Sequence, residues 1–338
     1  MTRLKLAALI ASLAIVALLI MAVDPDSLLA ALERVPAGHA LAGLALVQVQ
    51  TVLSALRWRY TARRLGHPMG LGRAVADYYM GSGLNQLLPG GVAGDAARIY
   101  RSGQDHPGGW KRAATTVVLE RLSGQLAFFL LTGVGLLAWP LVLAREIPLP
   151  MSLPPGLPGG ASVGAAPAGD GGTTAAGLLT GGTAAAGLLT GGAILVAVLL
   201  AGLVILFRRR LAALGPDLRA AFWSDGAWLV QLGLSGLIVA TYVAIFLIAS
   251  DAVGAPLPPV AALTAIPLCL LTMLIPVGIG GWGTREAAAA ALWPLFGFTA
   301  AEGVAASLVY GLLSLAGTAL PGGLILVAAL LARLRAPR

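Results

Sequence analysis

Long apolar stretches alternate with short clusters of charge along this chain. Six stretches without Asp, Glu, Lys or Arg cover residues 6–23, 40–56, 122–144, 191–207, 226–250 and 303–332. Each approaches or exceeds the roughly 17–25 residues that an α-helix needs to cross the hydrocarbon core of a bilayer. Backbone groups in lipid must be satisfied internally, and the apolar–polar alternation of barrel strands is absent from the sequence. The pattern predicts an all-α polytopic integral membrane protein with about six spanning helices.

The charged residues indicate how these helices are oriented. Only 11% of the 338 residues are charged, against about 25% in a typical soluble domain. Eighteen of the 22 Lys and Arg residues fall in five clusters, at 3–5, 57–73, 98–112, 208–219 and 333–338. Basic residues concentrate in cytoplasmic loops, so these clusters predict a cell inner membrane protein with both termini in the cytoplasm. The net charge of +8 could suggest nucleic-acid binding, but the same distribution of basic residues argues against it.

Two segments start and finish on the same side of the membrane in this topology. Residues 74–97 lie between two basic clusters and contain Pro89, Gly90 and Gly91, which interrupt a helix. Residues 260–298 are interrupted in the same way around Pro276 and Gly278. We predict that both are re-entrant pairs of half-helices that enter the membrane from opposite sides.

The chain divides into three parts by composition. Residues 140–190 are rich in Gly, Ala, Pro and Thr and include most of the tandem repeat TTAAGLLTGG–TAAAGLLTGG at 173–192. Such low-complexity sequence is typical of a linker, here predicted to be external. It separates a first membrane half at 1–139 from a second at 191–338.

The two interrupted segments align with each other without a gap. Residues 84–98 match residues 271–285 at two Leu, one Pro, two Gly and one Arg. The helices that flank them correspond in order but cross in the opposite sense. This arrangement predicts an inverted-topology repeat, as found in many transporters.

The breaks suggest a chemistry. A half-helix that begins inside the membrane presents unpaired N–H groups, which attract anions such as phosphate. Arg98 and Arg285 would add a planar donor fork suited to phosphate oxygens. Asp95 with Arg98 could equally form a helix cap and local ion pair, and Glu120 with Arg121 could pair between helices. The predicted headgroup-binding residues are Asn85, Pro89, Gly91, Gly94, Asp95, Arg98, Glu120, Arg121, Pro276, Gly278, Gly281, Arg285 and Glu286.

Four motifs resemble the transmembrane, flippase-like region of the lysylphosphatidylglycerol synthase family. They are LLPGGVAGDAARIYR at 87–101, VVLERLSG at 117–124, IPVGIGGWGTREAA at 275–288 and SLVYGLLSL at 307–315. The resemblance covers roughly residues 40–330 and implies a membrane domain that moves a lipid or lipid-linked headgroup between leaflets. Ala93 replaces a usual Gly, and Gly311 stands where an Arg is common.

The resemblance favours a flippase or transporter for an anionic phospholipid or lipid-linked headgroup. Membrane lipids are then its ligands, and a separate lipid-modifying transferase is the protein partner it implies. We expect no catalytic residue, cofactor or metal. Two alternatives stay open, a membrane-embedded lipid transferase with Asp95, Glu120 or Glu286 as base and a non-catalytic subunit of a cell-envelope enzyme.

Overall fold

The computed structural model describes residues 33, 35–88, 91–104, 108–146, 198, 202, 214–274 and 281–335. Every regular element in this part of the chain is helical. The α-helices are α1 (Ala37–Arg64), α2 (Leu71–Leu87), α3 (Ala93–Gly103), α4 (Gly109–Glu146), α5 (Gly215–Phe222), α6 (Ala227–Ala252), α7 (Ala265–Leu271), α8 (Thr284–Leu292) and α9 (Ala300–Arg335). Short 3₁₀ turns cover Ser224–Gly226, Pro259–Ala262, Thr272–Leu274 and Trp293–Phe296.

Four helices are long and apolar enough to cross a membrane. The spans are Ala37–Arg64, Gly109–Leu137, Ser224–Ala252 and Ala300–Ala329. They confirm four of the six predicted spanning segments, whereas those at 6–23 and 191–207 lie outside the described residues apart from two isolated positions. Large apolar side chains on their outer surfaces, such as Leu137 and Leu324, are exposed, as lipid contact requires. The chain is therefore a multi-pass membrane protein.

Two of the long helices end in the same glycine motif. At the end of α1, Gly66 has φ +70° and donates to the Arg63 carbonyl, while the following amide donates to Ala62. Gly254 has φ +84° and closes α6 with the same pair of hydrogen bonds. This is the Schellman arrangement, which needs a left-handed residue and therefore favours glycine. Each of these turns precedes one of the interrupted segments in the chain.

The first interrupted segment is a helical hairpin. α2 and α3 pack against each other and run antiparallel: Gly94 lies against Gly81 near the break, and Arg101 bonds Asp77 at 2.7 Å farther from it. The segment 74–97 is therefore not one continuous helix. A carbonyl of α2 occupies the space that a side chain at Gly94 would need, so glycine is required for this close approach.

The second interrupted segment also consists of two short helices. α7 continues into the 3₁₀ turn at Thr272–Leu274, and α8 starts at Thr284 after residues 275–280, which include the predicted Pro276 and Gly278 and lie outside the described residues. α7 contacts α8, and Gly281 lies against Met273. The helix is therefore interrupted in both of the segments where a break was predicted.

Contacts between helices follow a two-fold pattern. α3 packs on α4 as α8 packs on α9, and α2 contacts α9 as α7 contacts α4. α1 touches α4 and α9, α6 touches α9 and α4, and α1 and α6 touch each other. Exchanging the two halves converts each of these contacts into another contact of the set. This is the relation that the sequence repeat predicts between residues 37–146 and 227–335.

Aromatic packing forms the larger core. Phe246 stacks on Tyr310 with ring centroids 4.8 Å apart and lies 5.4 Å from Trp293. The indole N–H of Trp293 donates to Ser250 at 3.0 Å, which satisfies its only polar group. These contacts join α6, α9 and the turn after α8.

The boundary of the predicted linker differs slightly from the structure. α4 continues to Glu146, seven residues into the segment 140–190. Residues 147–190 lie outside the described part of the chain, so the external linker remains a prediction.

Candidate functional site

Asn85 joins the two helices of the first hairpin. Its side-chain oxygen accepts a hydrogen bond of 2.7 Å from the Gly94 amide, in the first turn of α3. Asn85 is buried near the end of α2, so its side chain caps the start of α3. The sequence predicts free N–H groups at this break, but the Gly94 amide is already satisfied within the protein.

Arg98 lies between two aromatic rings. Its guanidinium carbon is 4.6 Å from the Trp58 ring centroid and 4.5 Å from that of Tyr78. One Nη atom donates to Glu120 at 3.1 Å and lies 3.7 Å from Asp95. Arg98 is 2% exposed, and its Nε has no hydrogen-bond partner. Ring faces and carboxylates together compensate the cost of burying this cation.

Glu120 is the centre of a buried ion cluster. One carboxylate oxygen accepts from Arg57 at 2.6 Å and from the Tyr78 hydroxyl at 3.3 Å, and the other accepts from Arg98. Glu120 is 0% exposed. A single carboxylate is thus shared by two arginines from α1 and α3. The interhelical pairing that the sequence left open for Glu120 is the arrangement found here.

Asp95 and Arg121 form a second ion pair beside this cluster. Arg121 donates through both Nε and Nη2, at 2.9 and 3.0 Å, to the two oxygens of Asp95. The bidentate geometry is the strong form of an arginine–carboxylate contact. It ties α3 to α4.

The second break has an arginine in a similar environment. The guanidinium carbon of Arg285 lies 5.1 Å from the Trp282 ring and 4.9 Å from the Tyr310 ring. Its Nη2 donates to Glu286 at 2.6 Å and its Nε to Ser307 at 2.8 Å. Like Arg98, Arg285 is 2% exposed. Each break therefore contributes one arginine held between two aromatic rings and paired with a carboxylate.

Glu286 completes this second site from within. It accepts from the Gly283 amide at 2.6 Å and from the Ser307 hydroxyl at 3.0 Å, as well as from Arg285. Gly283 has φ +92°, a conformation that favours glycine. The Gly283 amide, which was expected to be free to bind an anion, thus donates to the Glu286 carboxylate. Gly311 also lies directly against the Arg285 guanidinium and the Trp282 ring, where a side chain would collide with both.

One cavity of about 530 Å³ lies between the two halves of the fold. It is bordered by Gly91 of the first break and by Gly281 of the second. The predicted residues on its wall are Asn85, Gly91, Asp95, Glu120, Arg121, Gly281 and Arg285. Three further predicted residues are buried and packed behind the wall: Gly94 bonds Asn85, Arg98 bonds Glu120, and Glu286 bonds Arg285. Pro89, Pro276 and Gly278 lie outside the described residues.

Arg57 is a wall residue that was not among the predicted headgroup-binding residues. The prediction placed it in a basic cluster at the cytoplasmic end of its helix, but α1 continues to Arg64 and Arg57 is buried, with 4% exposed. Gln50, Ser54, Arg57 and Thr61 are spaced so that they share one face of α1, and all four are buried. This polar stripe on an apolar helix is the sequence signal that could have identified the face.

The polar stripe continues into a network across three helices. Arg57 donates to Ser235 at 3.1 Å, and Ser235 bonds Ser123 at 2.8 Å. Gln231 accepts from Ser123 and donates to Thr61 at 2.9 Å. These bonds fix Arg57 relative to α4 and α6. In the described part of the chain, no group of three His, Cys, Asp or Glu residues could hold a metal ion.

Comparison with known proteins gives one result. A family model described as the lysylphosphatidylglycerol synthase TM region matches residues 6–322, which include every helix described above except the end of α9. No curated protein and no solved structure matches the chain. The chain belongs to the family of the lysylphosphatidylglycerol synthase TM region.

Proposed function

We propose that this protein is a flippase, a transporter that moves an anionic phospholipid or lipid-linked headgroup between leaflets. The observation that carries the proposal is the cavity shared by both helix breaks, with Arg57, Arg121 and Arg285 on its wall. Ionisable groups inside a membrane protein are costly, and they usually mark the path of a substrate. A site at the interface of two related halves is the arrangement that alternating access uses.

The cavity suits a lipid because its wall has two kinds of surface. Arginines and uncharged polar groups can bind a headgroup, whereas Phe128, Leu270, Leu271 and Met273 offer an apolar surface to the first part of an acyl chain. Preformed ion pairs hold the arginines in place before the substrate arrives. When a headgroup phosphate enters the cavity, arginine N–H groups that are already in place can replace the water molecules bonded to it.

The carboxylates favour transport over transfer chemistry. A transferase would use Asp95, Glu120 or Glu286 as a base, but arginine donors bind each of these carboxylates. These hydrogen bonds occupy carboxylate oxygens that a substrate would have to reach, and breaking them is unfavourable. In the proposed orientation both termini are in the cytoplasm of a cell with the protein in its inner membrane.

The proposal is tested with purified protein in liposomes that contain a lipid with a fluorescent acyl chain. Movement between leaflets is measured as the fraction of fluorescence that external dithionite can quench over time. We expect Arg285→Ala to lower the rate about tenfold or more, because it removes charged hydrogen-bond donors from the cavity. The same substitution at the exposed Arg63 is the matched control and leaves the rate unchanged.

A second variant separates transport from folding. Arg285→Gln with Glu286→Gln removes both charges of the buried pair and leaves no unpaired charge. We expect it to elute as a monodisperse peak on size-exclusion chromatography and still to be slow. Normal transport by both Arg285 variants would contradict the proposal.

A further inference from the structure

The charges on the cavity wall are unequal. Three arginines, Arg57, Arg121 and Arg285, face two carboxylates, Asp95 and Glu120, among the described residues. The two partners packed behind the wall, Arg98 and Glu286, have opposite charges and leave the excess at one positive charge. A ligand with a single negative charge would balance the cavity.

Both carboxylates on the wall are already paired with arginines. Glu120 is bonded to two arginines and the Tyr78 hydroxyl, and both oxygens of Asp95 are bonded to Arg121. An ammonium group in this cavity would meet arginine charge without a free carboxylate. Charge repulsion in a medium of low dielectric constant disfavours that arrangement.

Gln50 supplies an independent observation. It lies on the cavity wall, its side chain is more than nine-tenths buried, and its Oε1 has no hydrogen-bond partner. A hydroxyl donor satisfies an uncharged acceptor of this kind, and a buried acceptor without a hydrogen bond is unfavourable. Gln50 and Arg57 are seven residues apart on one helix, a rise of about 10 Å. That distance suits a phosphate at Arg57 and a hydroxyl-bearing group reaching toward Gln50.

The other polar groups on the wall are also uncharged. Thr51, Ser54, Asn85, Gln125 and Ser314 contribute hydroxyl and amide groups. Such groups can bond hydroxyls as donor or acceptor. They provide no charge to compensate an amine.

From this charge balance and from Gln50, we infer that the substrate headgroup is a phosphodiester with one negative charge that carries hydroxyl groups and no amine, such as a glycerol or sugar headgroup. The inference rests on the proposed function, since it specifies the lipid of the same cavity. It excludes an aminoacylated headgroup, although a lysylated lipid gives the family its description. Arg57 binds the phosphate, and Gln50 accepts a hydrogen bond from a hydroxyl.

The first experiment compares three lipids with the same fluorescent acyl chain in liposomes containing the unmodified protein. Phosphatidylglycerol has one negative charge and two hydroxyls, phosphatidylethanol has the charge alone, and lysyl-phosphatidylglycerol carries a net positive charge. We expect phosphatidylglycerol to move about 2- to 10-fold faster than phosphatidylethanol, as one neutral hydrogen bond allows, and lysyl-phosphatidylglycerol to move about tenfold more slowly than either.

The outcomes separate the inference from the proposed function. Movement of lysyl-phosphatidylglycerol at or above the rate of phosphatidylglycerol overturns the inference and leaves lipid transport in place. Equal rates for phosphatidylglycerol and phosphatidylethanol overturn the role of the hydroxyl. If none of the three lipids moves faster than in protein-free liposomes, the proposed function fails as well.

Variants of Gln50 test the residue itself. Gln50→Leu removes the acceptor, so phosphatidylglycerol should lose its 2- to 10-fold advantage over phosphatidylethanol in this variant. Gln50→Glu adds a carboxylate that no arginine yet binds, so phosphatidylglycerol should slow about tenfold while lysyl-phosphatidylglycerol becomes faster. Gln104→Glu places the same charge at an exposed position and is the matched control. Unaltered lipid preference in both Gln50 variants would show that Gln50 does not contact the headgroup.

Discussion

Neutralising Glu120 should destabilise the protein more than any single change to an exposed charge. Glu120→Gln keeps the size of the side chain but removes the charge that Arg57 and Arg98 share, at 2.6 and 3.1 Å. Both arginines are less than 5% exposed, so water replaces the lost carboxylate poorly. Breaking one buried ion pair costs about 3–5 kcal/mol. We expect a loss in this range, since the remaining contact of Arg98 with Asp95, at 3.7 Å, is too long for a hydrogen bond.

The measurement is reversible unfolding of purified protein in mixed micelles, followed by tryptophan fluorescence, to which Trp58 beside Arg98 contributes. Asp217→Asn is the matched control because it neutralises a half-exposed pair with Arg112, and it should cost at most about 1 kcal/mol. Adding Arg98→Met to Glu120→Gln should recover part of the loss, with a coupling of about 0.5–3 kcal/mol. A Glu120→Gln protein within about 1 kcal/mol of the unmodified one, or strictly additive single variants, would refute the reasoning.

Two further predictions concern packing and orientation. Gly94→Ala should separate α2 from α3 and cost about 1–3 kcal/mol in the same unfolding assay, because its methyl group would meet the Gly81 carbonyl; Gly38→Ala, in open space on α1, should be neutral or slightly stabilising. A cysteine placed at the exposed Gln104 should react with an impermeant reagent only after cells are opened, and one at Thr174 in intact cells. The reverse labelling pattern would invert the proposed topology.

The sequence determined the helices and their interruptions, because these depend on local properties. Apolar length predicts a span wherever it occurs, and Pro and Gly weaken helix wherever they occur. The four described spans and the two broken segments were therefore predictable from residues 37–335 alone. The match between residues 84–98 and 271–285 also anticipated the two-fold pattern of helix contacts.

Only the tertiary structure decided which charges meet. Arg57 is 63 residues from Glu120 in the sequence, and no local pattern records that α1 and α4 bring them within 2.6 Å. Asn85 and Glu286 bond the amides that were expected to be free at the two breaks, so the proposed anion site depends on arginine side chains and not on the backbone. An ion pair between helices depends on how their faces pack, and a sequence of mostly similar apolar residues leaves that packing open until the chain folds.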